Sequence, residues 1–213
     1  MLSRGLAILA EFGPTDGELT VAELADRCSI PKPTVYRLLH ELVGWGLLER
    51  GRRGFRLGTQ LFSLGMRVPR LRALRTTVLP VLLRLSELTN EPSYLSILDG
   101  SCLVDVEAAG RVTRHAGRTV PALSSAAGRL LLARRSARAE PLAPFHAHGY
   151  AVHHDSRGLV CVAAAVAAHA GAPESAISVV GPARRLDLRR VVPEVRGAAA
   201  AAARRLVLLS EAN

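Results

Sequence analysis

The stretch between Thr20 and Gly58 constrains this 213-residue chain most. Two apolar stripes of helical period stand there with only a few residues between them. In the first, Val21, Leu24, Ala25 and Cys28 fall at i, i+3, i+4 and i+7. Thr20 and Glu23 have the spacing of a capping box, in which each side chain serves a free amide of the other residue. Ser29-Ile30-Pro31 breaks that helix. Pro33 suits the first turn of the next one, where an amide proton has no partner to lose. The second helix is predicted from Pro33 to Val43, with Val35, Leu38, Leu39, Leu42 and Val43 turned inward. Lys32, Thr34, Tyr36, Arg37 and His40 are left outside. Pro33, Tyr36, Arg37 and His40 share one face, because steps of three and four residues stack on a helix. Gly44 and Gly46 end the helix, with Gly44 the expected left-handed cap.

Two short strands follow, Leu47 to Arg50 and Gly54 to Leu57, around a turn that carries Arg52 and Arg53 at its tip. Two helices, a tight turn and a hairpin outline a winged helix-turn-helix, which lays its second helix in the major groove of DNA. A charged outer face on a surface helix is ordinarily no more than a solvated face. The sign of the charge decides here. From Arg50 to Arg75 there are eight arginines and no acidic residue, and a one-sign run of that length favours a polyanion. Lys32, Thr34, Tyr36, Arg37 and His40 are therefore the expected groove residues. Arg52 and Arg53 are the expected phosphate or minor-groove contacts. The formal charge of the chain is +10, and residues 1–75 hold twelve basic against seven acidic residues. Lys32 is the only lysine, a bias that points to genomic base composition and inflates the basicity somewhat.

These residues resemble the IclR family of bacterial transcriptional regulators. The motifs are RGLAILAEF, TVAELADRCSIPKPTVYRLLHELVGWGLLER, GFRLG and SLG. They are followed by SILDGSCLVDVE, GRTVPALSSAAGRLLLA, GYAVHHDSRGLVCVAAAV and SAISVVGPARRL. They stand in the family's order over nearly the whole chain. The resemblance implies an α+β protein. A winged helix-turn-helix would occupy residues 1–59, a linker helix residues 60–75, and a GAF-like α/β effector-binding and oligomerisation domain residues 76–213. It further implies a homodimer or homotetramer that binds double-stranded DNA and answers to a small-molecule effector. The alternative is an effector-independent regulator whose second domain only dimerises.

Outside the DNA module, the pattern predicts an opening helix from Ser3 to Phe12 and another from Gln60 to about Arg72. A third should run from Val78 to Thr89, with Pro80 in its first turn. Strands are predicted at Tyr94–Leu98, Cys102–Glu107, Leu159–Ala167 and Ala176–Val180, with a loop over Val112–Pro121. Ser124 or Ser125 should cap a helix reaching Arg135, and an alanine-rich helix should close the chain from Val191 to Leu209. Family members carry a longer helical segment between the LLA and GYA motifs, so this domain is expected to be trimmed around residues 134–149.

Cys161 and Ser178 fall in neighbouring predicted strands, where small core residues would serve equally well, cysteine being among the most buried residue types. The resemblance makes them effector contacts instead. It extends the set to Ser125, before a helix whose amides could hold an anion, and to His153 and Asp155. The family's second serine is Val180 here, and His153-His154 replaces acidic residues, so an apolar or aromatic effector is expected in place of a short carboxylate. His153, His154 and Asp155 do not make a metal site, since zinc needs three or four ligands at defined spacing. No nucleophile motif or phosphate loop marks an enzyme, and no cofactor is expected. Three cysteines without metal spacing argue for a reducing compartment. With no signal-peptide pattern and no apolar run of membrane length, a cytoplasmic protein is expected.

Overall fold

The computed structural model describes residues 1–13, 15–111, 116–135, 149–167 and 173–211. The chain divides into two compact units, Met1–Pro69 and Arg70–Asn213. Much of the predicted segment trimmed around 134–149 lies outside the described residues, as does the turn expected after Ala167.

In the first unit, α1 (Leu2–Ala10), α2 (Val21–Cys28) and α3 (Lys32–Gly44) precede a hairpin of β1 (Leu48–Arg50) and β2 (Phe55–Leu57). The capping box at α2 is complete. The Glu23 amide donates to Thr20 Oγ1 at 3.2 Å, and the Thr20 amide donates to Glu23 Oε2 at 2.7 Å. Ser29 ends α2 in the left-handed region, at φ 54°. The predicted stripes close on one another, so that Leu24, Ala25, Val35, Leu38, Leu39 and Leu42 are buried together with Ile8, Leu48 and Phe55. At the end of α3 the left-handed residue is Gly46, at φ 67°, and not the expected Gly44, which remains helical. The helix runs one residue further than expected, and the turn follows it. The opening helix α1 starts one residue before the expected Ser3, without a side-chain cap, and ends at Ala10, short of Phe12.

The helices after the hairpin divide differently from the expectation of one linker helix over 60–75. Instead α4 covers Thr59–Met66, and α5 covers Pro69–Thr89 without a break. Val68 precedes Pro69, and a residue before proline is pushed out of the helical region, which separates the two. Pro80 then lies well inside α5 rather than in a first turn. Both Pro80 and Thr76, whose carbonyl loses its amide partner, are exposed, so water can serve the carbonyl.

The second unit is built on a six-stranded antiparallel sheet. Its strands are β3 (Ser93–Asp99), β4 (Cys102–Ala109), β5 (Thr119–Pro121), β6 (Tyr150–His154), β7 (Leu159–Val166) and β8 (Ser175–Pro182). The order is β5-β4-β3-β8-β7-β6. The predicted loop over Val112–Pro121 thus ends in a strand, which pairs Thr119 with Val104. One face of the sheet packs against α5 and the closing helix α7 (Leu188–Glu211), through Leu82, Leu85, Val162, Ile177, Val179 and Val195. The other face carries α6 (Ala126–Arg135), with Leu98, Leu103, Ala163 and Ala176 against Leu130 and Leu131. Helices on both faces leave the inner strands, β7 and β8 above all, with buried residues on either side. That accounts for β7 reading as a continuous apolar run.

Candidate DNA-binding unit and ligand face

The outer side of α3 is assembled from the residues its period left out. Lys32 opens the helix, Thr34 is half-buried, and Tyr36, Arg37 and His40 are exposed. Tyr36 and His40 stand one turn apart with their rings edge to face, 4.6 Å between centroids. His40 Nε2 lies 3.4 Å from an Arg50 guanidinium nitrogen. This ties the helix to the first strand of the hairpin. Arg37 turns the other way and donates to the sulfur of Met1 at 3.3 Å. The face therefore spans from the start of α1 to the hairpin, with aromatic, imidazole and guanidinium groups along it. Such groups can donate to base edges and phosphates.

At the hairpin tip Arg52 and Arg53 are exposed. Behind them, the Glu18 carboxylate accepts the amides of Arg52, Arg53 and Gly54. Sequence reasoning missed Glu18 because its partners lie more than thirty residues away. It also missed the backbone bridge between Leu19 and Phe55, which adds a third short extended segment to the hairpin. Two further acidic side chains of this unit serve as braces. Asp16 is held below the usual carboxylate range by Arg27, and Glu49 by Arg56.

In the second unit the strand register places the remaining candidates. His153 is paired with Cys161, Cys161 with Val180, and Ala163 with Ser178. Residues paired across an antiparallel ladder share a side, and alternate residues return to it. His153, Cys161 and Ser178 are therefore all on the α6 face. Ser125 starts α6 and accepts the Gly128 amide at 3.1 Å, which settles the choice between the two predicted caps. Burial, followed by the charge of Arg129, pushes the His153 imidazole below its usual value. Asp155 follows at the end of β6, near enough for its charge to act on His153. Its carboxylate binds the amides of Arg157 and Leu159, each at 2.9 Å, and so holds the turn between β6 and β7. Tyr94, buried and paired with Ser178, was not singled out from sequence. Neither was the buried pair on the same face in which the Ser96 hydroxyl donates to Asp105 Oδ1 at 2.7 Å. Among the described residues, no three His, Cys, Asp or Glu side chains gather as metal ligands. No described helix is long and apolar enough to cross a membrane.

A winged helix-turn-helix joined to an α/β unit with a curled sheet defines a class of DNA-binding transcriptional regulator, and the comparisons say which. The IclR helix-turn-helix domain matches residues 1–52, and the bacterial transcriptional regulator IclR C-terminal domain matches residues 135–207. The transcriptional repressor IclR of Escherichia coli is 26% identical over 226 aligned residues, covering 89% of this chain and 82% of that protein. The Pca regulon regulatory protein of Pseudomonas putida is 29% identical over 138 residues, 62% of this chain and 47% of its own length. An IclR homologue from Microbacterium hydrocarbonoxydans, solved in complex with 4-hydroxybenzoate, superposes with a TM-score of 0.85. It covers 97% of this chain and 99% of its own at 23% identity, and so shares the fold. The chain belongs to the IclR family of transcriptional regulators. That family consists of regulators and not of enzymes.

Proposed function

We propose that this protein is a homodimeric, operator-specific regulator acting in the cytoplasm, with a small aromatic ligand as its signal. The observation that carries the DNA reading is the continuous face formed by α3 and the hairpin tip. Lys32, Thr34, Tyr36, Arg37 and His40 read bases or the phosphates beside them, while Arg52 and Arg53 hold the backbone. Dimerisation is supported by α4, which buries none of its residues and leaves Phe62 71% exposed, with Leu64 and Met66 also open to solvent. An apolar helix of that kind needs a cover.

The ligand reading rests on His153, Cys161 and Ser178 sharing one side of the sheet, with Ser125 at the start of α6 on that side, where an imidazole and small polar groups suit an aromatic compound. The likeness to a regulator crystallised with 4-hydroxybenzoate supports it. The effector-independent reading draws on the same face, because Ala126, Ala127, Ala163 and Ala176 are buried there in one apolar cluster. Calorimetry separates the two. Binding of hydroxybenzoates with no response to pyruvate or glyoxylate supports the aromatic signal, and silence to every compound supports the alternative. Tight binding of the short acids would overturn the aromatic assignment.

For DNA, the test is titration on the protein's own upstream intergenic region against random DNA at two salt concentrations. Specific binding should survive the higher salt. Arg37→Ala should lose roughly 1–3 kcal/mol of operator affinity if the guanidinium forks onto guanine. An Arg37→Ala protein that binds its operator like wild type would remove Arg37 from the reading set.

A further inference from the structure

The hairpin tip is held from outside itself. Glu18 precedes α2, yet its carboxylate accepts three successive amides of the tip: Arg52 at 3.3 Å, Arg53 at 2.7 Å and Gly54 at 3.2 Å. Consecutive amides that converge in this way form an anion-binding nest, and the anion here belongs to the protein. The next residue, Leu19, exchanges two backbone hydrogen bonds with Phe55, each 2.8 Å. The two glycines that flank the arginines fit the same arrangement. A Cβ at Gly51 would fall on the Glu18 carboxylate, and one at Gly54 would fall on the Leu19 carbonyl. Glu18 and Leu19 thus run close enough to the tip to exclude side chains on both shoulders. They leave only Arg52 and Arg53 to project, and both are exposed.

A carboxylate near a polyanion is repelled unless its charge is met locally, and three amides meet it here. We infer that Glu18 is the positioning residue of the wing, fixing the tip turn so that Arg52 and Arg53 reach the DNA backbone in a single register. This rests on the assignment of the wing arginines to DNA made above. The same amides, that of Arg53 first, hold the Glu18 carboxyl below its ordinary range, so the brace stays charged through the pH range in which DNA is bound.

The test uses the full chain and a random-sequence duplex, because phosphate contacts are read without an operator. Affinity is measured across a salt series for wild type, E18A, E18Q, R52A/R53A and the triple variant E18A/R52A/R53A. Removing both arginines should weaken binding roughly tenfold and lower the log–log salt slope by about 2, each phosphate contact contributing about 0.9. E18A should reproduce at least a third of that slope change and weaken binding about three- to tenfold. E18Q keeps an acceptor oxygen and should lie between E18A and wild type. In the R52A/R53A background, E18A should change nothing further. An E18A protein with the wild-type slope overturns the proposal. So does an E18A loss of equal size in the arginine-free background, since Glu18 would then act on the fold and not through the arginines. If E18A fails to fold, E18Q carries the same comparison in both backgrounds. If R52A/R53A itself binds like wild type, the wing assignment falls, and the positioning role falls with it.

Discussion

In the first unit the carboxylates lie at the surface and brace what is near them. Glu23 caps the helix that begins two residues before it, Asp16 holds Arg27, and Glu49 holds Arg56 on the facing strand. In the second unit two carboxylates, Glu91 and Asp105, are inside and link separate elements. Glu91 is buried and binds Arg185, 94 residues away, and Asp105 sits beneath the sheet surface against Ser96 on the neighbouring strand. The contrast shows two ways of making one geometry. Surface carboxylates set local backbone shape one turn at a time, each at modest gain. Buried ones fix which strands lie side by side, at higher stakes, because a buried polar group without its partner is costly.

Acid should break the contrast most visibly. Asp16, Glu18, Glu23 and Glu49 are all held below the ordinary carboxylate range, by Arg27, the Arg53 amide, the Thr20 amide and Arg56 respectively. A depressed folded-state value stabilises above the unfolded pKa and is lost as pH falls through the folded one. The first unit should therefore be at full strength above about pH 5 and weaken progressively below pH 4. Among the described residues of the second unit, Asp155 behaves in the same way, and His153 begins to oppose folding as pH drops below its ordinary value. Amide NMR signals followed from pH 7 to pH 3 should show the first unit losing stability over the carboxylate range. A first unit unchanged at pH 3 would mean that the surface braces contribute little.

A substitution inside the sheet comes next in size. Asp105→Ala leaves the buried Ser96 hydroxyl without its acceptor and removes the partner that Arg118 approaches at 3.7 Å. It should cost about 2–3 kcal/mol in denaturant unfolding of the second unit. Thr20→Ala, the equivalent test of a local brace, should cost only about 1 kcal/mol and confine it to the first unit. The smallest effect should come from Arg135→Ala. That residue pairs with Glu174 from 39 positions away, but both side chains are nearly half exposed. Its loss should stay within about 0.5 kcal/mol. If Arg135→Ala rivals Asp105→Ala, separation along the chain and not burial sets the value of these contacts.

The same contrast explains what could be read from the chain before its structure. The Thr20–Glu23 spacing, the stripes of α2 and α3 and the arginine-tipped hairpin are short-range patterns, and each stands where it was expected. The break at Val68 was also local, written in the proline that follows, yet the apolar period across Leu61, Leu64 and Val68 masked it. Glu18, Asp105 and Glu91 left no spacing to find, since their partners come from other elements. On the ligand face, the apolar run from Leu159 predicts a strand at Cys161 and a partner strand at Ser178. Only the register shows that His153 joins them on the α6 side.

The strand order has a consequence for how the molecule comes into being. The sheet is joined at its middle by β3 and β8, which pairs Ser93 with Val179. Everything between those strands must be synthesised before the central ladder can close, and pairings so remote in sequence are slow to find. The wing and its helices are complete within the first sixty residues and depend on nothing downstream for their own core. As the ribosome delivers the chain from its N-terminus, a DNA-reading head is finished while the half that would govern it is still an open chain.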